Sequence, residues 1–449
     1  MAYSFVGGQK LRKNRSMLPW SKKHAKFIKF EKISPPSHVT ISMEQHWREI
    51  CSPTVKVGDT VSVGQVIGRA TDTIISPVHS SVSGKVTEIT QMQGLSGKQV
   101  EHIIIQNNRK HTTFNGLTPH TSSITNTTAD EIVAILRRNA VTDFWPSPQS
   151  LANKIETAIG NVDRLVVKLF DSDSNTAVNY RLALENPQAV IGGIKLLLKA
   201  LSLRRAIIVT EIKSRTLLRS LSTIEYPKEM LFFIEIKPKY PHYDNRVLIS
   251  ALTKKENVTI GSMFSKSIVI DAQTAVAVYQ AFSIGMPHVE RFITVSGDAC
   301  SMPKNLSLPI GTSTKHVLSY CSYNNSTSTL FTSNRINGRP ITENTIIDSS
   351  INSILIQKEH IASNFVASCT NCAHCVTNCP ARISPKAVAR HVKSDKILRA
   401  RKAGLDSCVT CGLCSKVCPS GLPLFSNIIQ AKQAMAKTPK DIDDASDKN

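Results

Sequence analysis

The spacing Cys369-x2-Cys372-x2-Cys375-x3-Cys379-Pro380 occurs a second time as Cys408-x2-Cys411-x2-Cys414-x3-Cys418-Pro419. Three thiolates three residues apart wrap one cubane from a single turn of chain, and a fourth cysteine from farther away closes it. The repeat therefore predicts two [4Fe–4S] clusters. In two-cluster ferredoxins the fourth cysteine of each run ligates the other cluster. That rule assigns Cys369, Cys372, Cys375 and Cys418 to one cluster, and Cys408, Cys411, Cys414 and Cys379 to the other. The prolines turn the chain away after each run. Structural zinc is the alternative, but it calls for four ligands in two well-separated pairs, and neither run reads that way. Clusters imply one-electron transfer.

The chain has 449 residues, enough for about three domains. Outside the two runs stand only Cys51, Cys300 and Cys321; they show no disulfide framework and read as reduced, buried thiols in a reducing compartment. No apolar run approaches the roughly 18 residues of a membrane span. Met1-Ala-Tyr-Ser-Phe-Val-Gly-Gly lacks the order of a signal peptide. The expectation is a soluble or peripheral chain. Its formal charge of +22 falls by only about four when two clusters of roughly −2 each are added. Lys10 to Lys32 concentrates this charge around Trp20, Phe27 and Phe30. Such a stretch reads either as an anchor on an anionic membrane surface, at about 1 kcal/mol per charge, or as a solvated arm or domain edge. No nucleic-acid motif accompanies the charge, so nucleic acid is not an expected partner.

From Val55 to Val86, β-branched residues alternate between the glycine turns at Gly58, Gly64, Gly68 and Gly84, the pattern of short strands folded back on one another. The phrasing resembles the barrel-sandwich hybrid of biotinyl and lipoyl domains. His79-Ser80-Ser81 stands where their modifiable lysine would sit, so the module reads as structural. A polar stretch from Asn107 to Thr128 reads as a linker. Thr128-x-x-Glu131 has capping-box spacing ahead of Ile132, Val133, Ile135 and Leu136, which starts a helix. Strand-like runs at Arg164–Phe170, Arg205–Thr210 and Leu231–Ile236, with a leucine-rich helix at Ala189–Leu201 between the first two, predict a doubly wound, Rossmann-like α/β domain. From Glu290 a compact β-rich unit follows. The residues between the cysteine runs, including Ala387, Val388, His391, Val392, Ile397 and Leu398, have helical composition, so the cluster domain is expected to be α-helical.

In this order, Phe5-Val6-Gly7-Gly8, Val39-Thr-Ile-Ser-Met-Glu-Gln-His46, the hybrid barrel, Ile191-Gly-Gly-Ile-Lys-Leu-Leu197, Asp271-Ala-Gln-Thr-Ala-Val-Ala-Val-Tyr279, Thr294-Val-Ser-Gly297-Asp298 and the paired cysteine runs resemble the RnfC family, part of the Rnf-type ion-translocating electron transport complex. The resemblance covers nearly the whole chain. It implies a multidomain α/β and β chain: a basic segment at 1–36, a barrel-sandwich hybrid at 37–110, a linker at 111–127, and a Rossmann-like domain at 128–285. A small β-grasp-like (SLBB) unit at 286–358, a two-cluster ferredoxin-like domain at 359–432 and a tail at 433–449 follow. It further implies a peripheral subunit on the cytoplasmic side of the cell inner membrane. There it takes hydride from NADH onto FMN and passes single electrons through the clusters to the other subunits of the complex.

The flavin region departs from that pattern. The family's glycine-rich loop, roughly Gly-Gly-Ala-Gly-Phe-Pro-Thr, is replaced by Asn139-Ala-Val-Thr-Asp-Phe144-Trp145-Pro146-Ser-Pro148, and amides cradle phosphate where side chains are absent. The family's Glu-x-Glu-Pro segment becomes Asp171-Ser-Asp173-Ser-Asn175, leaving Asp173 as a replacement carboxylate. Tyr-Pro-x-Gly-x-Glu-Lys becomes Tyr240-Pro-His-Tyr-Asp-Asn-Arg246, leaving Arg246 in place of the lysine. Only Asn337-Gly-Arg-Pro340 remains of a Gly-Gly-Pro-Met-Met-Gly-like run. The expectation is an electron-transfer subunit that keeps its clusters and has a degraded entry for NADH and FMN. A complete NADH:acceptor flavoprotein, including the cobalamin-reductase type, and an assembly subunit with structural clusters stay open as alternatives.

Overall fold

A computed structural model describes residues 25–145, 147–171, 175–253, 266–323, 328–333, 336–358 and 366–437. Most of the basic segment, including Trp20, lies outside the described residues, as do Asp173 and the tail from 438. The chain divides into two compact units, one running from Leu18 to Glu359 except for Arg335–Asn337, the other formed by those three residues and the chain from His360 onward.

Within the first unit, the glycine-punctuated region builds two facing sheets. Strands His38–Ser42, Gln99–Asn107, Gly84–Gln93 and Thr60–Val61 make one; Ser52–Pro53, Val66–Arg69 and Val78–His79 make the other. Their alternating apolar residues, among them Val39, Ile41, Ile67, Val86, Ile103 and Ile105, are all under 2% exposed and share one core. His79, Ser80 and Ser81 are buried in it. The Ser80 hydroxyl donates to the Val82 carbonyl at 2.7 Å and the Ser81 hydroxyl to the Ile310 carbonyl at 2.5 Å. The position where a carrier domain presents its lysine is thus sealed into the protein.

The stretch after the barrel is tied down at both ends. Val63 donates to the Thr112 carbonyl and accepts from Phe114, and the His120 amide donates to the Phe282 carbonyl. The capping box then forms as its residues suggest: Thr128 Oγ1 accepts from the Glu131 amide, and Glu131 accepts from the Thr128 amide at 2.7 Å, opening the helix Ala129–Arg138.

Strands Arg164–Lys168, Ala206–Glu211, Leu231–Ile236 and Ser267–Asp271 form a parallel sheet in the order third, second, first, fourth. Alternate residues serve opposite faces, as the period of two requires. Leu165 and Val167 pack under the helices Pro187–Ala200 and Ala272–Ser283. Val166 packs on the other side with Leu248 and Ile249. The two helices approach so closely that a Cβ on Gly193 would lie 2.0 Å from the Ala275 carbonyl oxygen.

The β-rich unit is a six-stranded sheet with the helix Thr314–Tyr320 on its core. One of its edge strands comes from the far end of the chain. Phe30–Lys32 pairs in parallel with Asn305–Ser307, so the last part of the basic segment is a strand of this sheet. Lys26 is paired with Glu211 and sits 4.3 Å from the centre of the Tyr180 ring. Arg291 is fully buried. It donates to the Ile351 carbonyl at 3.0 Å and to Gln273 at 3.2 Å, and also to Asn352.

In the second unit five helices follow one another: His374–Thr377, Pro385–Lys393, Ile397–Lys402, Leu413–Lys416 and Leu424–Lys437. The first, second, fourth and fifth form two copies of one motif. A four-residue helix carrying the third cysteine is followed, past Cys379 or Cys418, by a longer helix, and like helices pack on like. Val388, Ala389, Ala400, Leu405, Leu424, Ile428 and Ala431 make the small core between them, with Cys375, Cys408 and Cys414 packed against it.

Candidate metal centre

The repeat extends to backbone conformation. Asn371 and Ala373, two and four residues after Cys369, have φ of 58°; Thr410 and Gly412, at the same offsets from Cys408, have φ of 51° and 76°. Alternating left-handed residues curl the chain so that successive amides face one concavity, the nest geometry of anionic Fe–S and phosphate sites. At Gly412 the conformation is joined by a tight contact: a Cβ there would lie 2.7 Å from the Ile336 carbonyl oxygen. Beside it, the Asn337 side-chain amide donates to the Thr410 carbonyl at 3.4 Å.

Cys369, Cys372, Cys375 and Cys418 line one cavity of 190 Å³, with Lys386, Ser384 and Leu424 also on its wall. Three cysteines come from the first run and one from the end of the second. The reciprocal set is equally mixed: Cys379 is the neighbour whose charge acts on Cys411 and Cys414, together with Cys408. These eight thiols lie too far apart for a single ion, since among the described residues no three His, Cys, Asp or Glu side chains converge as one ion would need. A cubane, with its ligands on four separate irons, suits that wider spread. The residues present fit two clusters.

The two places differ in their surroundings. Cys369 and Cys372 are exposed, whereas Cys411 is 7% exposed and the run Val409–Leu413 is buried except for Thr410, which is half-buried. Burial pushes the Cys411 and Cys414 thiols up to about 12. The Cys369 thiol is held below its ordinary value, first by the hydrogen bond from the Asn371 backbone and then by Lys386. Lys386 also donates to the Asn371 side chain. Iron loading therefore displaces protons at the buried place against a higher desolvation cost. Sequence reasoning did not single out Lys386; its spacing of seven residues after Cys379 carries no signal by itself.

The other candidate place is the crevice beyond the C-terminal ends of Arg164–Lys168 and Ser267–Asp271, where the strand order reverses and doubly wound sheets take ligands. Lys168 and Asp271 are register partners there. The Asn139–Pro148 stretch folds beside it as a hairpin, Thr142–Asp143 paired with Gln149–Ser150. Lys154 is paired with Asp143 at 2.6 Å and donates to the Val269 carbonyl. Lys168 donates to Asn245 at 2.8 Å and to the Tyr243 carbonyl, and its burial lowers its pKa. Arg246 is paired with Asp244 at 3.0 Å, and its guanidinium sits 5.7 Å from the Trp145 ring. The Phe144 ring lies 3.7 Å from the Arg291 guanidinium. Among the described residues each cation here already has an acid or carbonyl partner, and aromatic side chains stand where a phosphate loop needs bare backbone. A flavin phosphate does not fit these residues.

Residues 12–110 match the RnfC barrel sandwich hybrid domain, residues 146–280 the Nuo51 FMN-binding domain, and residues 357–422 the 4Fe-4S dicluster domain. The RnfC-type component of the Na(+)-translocating ferredoxin:NAD(+) oxidoreductase complex of Acetobacterium woodii is 24% identical, the match covering 79% of this chain and 81% of that one. Its counterpart in the proton-translocating complex of Clostridium ljungdahlii is 24% identical, covering 81% of this chain and 80% of that one. The corresponding component of the ion-translocating oxidoreductase complex of Rhodobacter capsulatus is 24% identical, covering 91% and 80%. With these domains in this order and two [4Fe–4S] clusters in the last of them, the chain is a divergent relative of the RnfC proteins of Rnf-type ion-translocating complexes.

Proposed function

We propose that the chain is the peripheral electron-transfer subunit of an Rnf-like ion-translocating oxidoreductase, on the cytoplasmic side of the inner membrane among the other subunits of that complex. The observation that carries this reading is the cavity ringed by Cys369, Cys372, Cys375 and Cys418, matched by the mixed neighbourhood of Cys379, Cys408, Cys411 and Cys414. These are the ligand sets of the two clusters. Each cluster supplies one-electron storage. The chain's own residues wrap it with left-handed turns and keep water from the second more than from the first. No helix among the described residues is long and apolar enough to cross a membrane.

The parallel sheet is read as Rossmann-like and the six-stranded unit as SLBB-like, from strand order and from the single helix on the sheet's core. The crevice of the parallel sheet is a filled, charge-balanced polar core, so hydride oxidation is not assigned to this chain. Arg246 acts there as the partner of Asp244 and Trp145.

The experiment is an anaerobic titration of the reconstituted full chain supplied with FMN. Dithionite is expected to bleach both clusters, while NADH bleaches neither and no flavin remains after gel filtration. Retained flavin with NADH-driven bleaching would overturn the reading of the crevice. Clusters that dithionite cannot reduce would overturn the electron-transfer reading itself.

A further inference from the structure

Between residues 366 and 437 Asp395 and Asp406 are the only carboxylates, against eleven lysines and arginines. One of the two is spent internally, since Asp406 pairs with Arg401 at 2.9 Å. Two clusters of roughly −2 each leave this stretch at about +5.

The charge is organised around the first cavity. Lys386 stands on its wall. Arg390 and Lys393 follow four and seven residues later on the same helix, which places them on the same face, and both are exposed. The next helix adds Arg399 and Lys402, exposed as well, with Leu398 exposed beside them. None of these four exposed cations makes an ion pair among the described residues. Val366 and Val376, 61% and 39% exposed, flank the exposed cysteines Cys369 and Cys372. A few apolar residues within a basic rim is the make-up of a docking surface, and here it encloses the one place where ligand sulfurs reach the surface.

We propose that this face docks an acidic protein carrying a one-electron centre, and that the chain exchanges electrons with it through the cluster held by Cys369, Cys372, Cys375 and Cys418. The inference rests on the two-cluster reading above. One electron leaves the reduced carrier, which is oxidised by one, and enters the cluster, which is reduced by one; no bond and no proton moves. A protein partner fits better than a lipid surface because the charge surrounds bare sulfur, where a redox centre must approach and a headgroup gains nothing. The buried run around Cys411 offers no such mouth, so its cluster exchanges electrons only through the protein.

The test uses the full-length reconstituted chain and a purified acidic [2Fe–2S] ferredoxin as probe, with binding read by anisotropy of the labelled ferredoxin and electron transfer by stopped flow. Arg390→Glu with Lys393→Glu is compared with Lys85→Glu with Lys98→Glu, an equal charge change on exposed barrel residues. At low salt the first pair is expected to weaken binding about tenfold or more, the second by less than about twofold, and high salt to abolish the difference. Equal losses in both, or no loss in the first, would overturn the proposal. Loss of binding to phosphatidylserine vesicles with ferredoxin binding intact would overturn it in favour of a membrane. Iron content and dithionite bleaching of each variant separate the two readings. Intact clusters with unchanged ferredoxin binding refute the docking face alone, and missing clusters in the unsubstituted chain refute the electron-transfer reading.

Discussion

Replacing Gly412 by alanine tests whether the second cysteine run depends on its backbone geometry. The wild-type φ of 76° costs a residue with a Cβ about 1–2 kcal/mol. The new methyl would also lie 2.7 Å from the Ile336 carbonyl oxygen and 3.0 Å from its Cγ2. Relieving that overlap costs about 1–3 kcal/mol. Together the two effects come to about 2–5 kcal/mol, a fall of about thirtyfold or more in retention of the cluster. Ala373 occupies the equivalent place in the first run with φ of 58° and already bears its Cβ, so Ala373→Gly is expected to relax strain there and keep the first cluster. The assay is iron release to a coloured chelator, followed by the loss of cluster absorbance. Gly412→Ala should lose about half its iron early while Ala373→Gly matches the wild type. Equal release from Gly412→Ala and wild type would refute the claim that this loop is moulded on a cluster.

Three further outcomes follow from the same structure. Cys375→Ser should lower iron from about eight to about four per chain, while Cys300→Ser and Cys321→Ser leave it unchanged; equal loss in all three would contradict the ligand assignment. Because the fourth ligands cross over, Cys418→Ser should remove the exposed, fast-oxidising cluster and Cys379→Ser the buried, slow one, and the reverse result would mean that each run closes its own cube. The buried His79 is held down to about 3 by desolvation, and then by Arg69. It stays neutral in the fold, so its contribution is full above pH 6.5 and is lost as pH falls from there towards 3, at about 1.4 kcal/mol per pH unit. Urea denaturation read by tryptophan fluorescence should be less steep in pH for His79→Asn, and an unchanged slope would count against that burial.

Much of the site was legible because its signal is local. Cysteine spacing is set by the size of a cubane, and Thr128 with Glu131 announces a helix through contacts three residues apart. The strand at Leu231–Ile236 begins and ends where its apolar run does. What escaped the sequence depends on distant partners. Phe30–Lys32 reads as part of a basic segment, and only its pairing with Asn305–Ser307 makes it a strand. Lys154, Lys168, Asp143 and Asp244 look like ordinary surface charges until the sheet brings them to one crevice, where they neutralise one another. The lost glycine loop was visible, but its consequence was not, because the aromatic rings that replace it are held by Arg246 and Arg291 from elsewhere in the chain.

The central claim is that this chain holds two clusters and moves electrons singly. Stepwise dithionite reduction of the anaerobic full-length chain, followed by electron paramagnetic resonance alongside iron and sulfide analysis, tests it most directly. The account predicts about eight iron and eight sulfide per chain and two one-electron reductions, the clusters being four-iron cubanes. Bound zinc, about four iron, or a single one-electron step would contradict it.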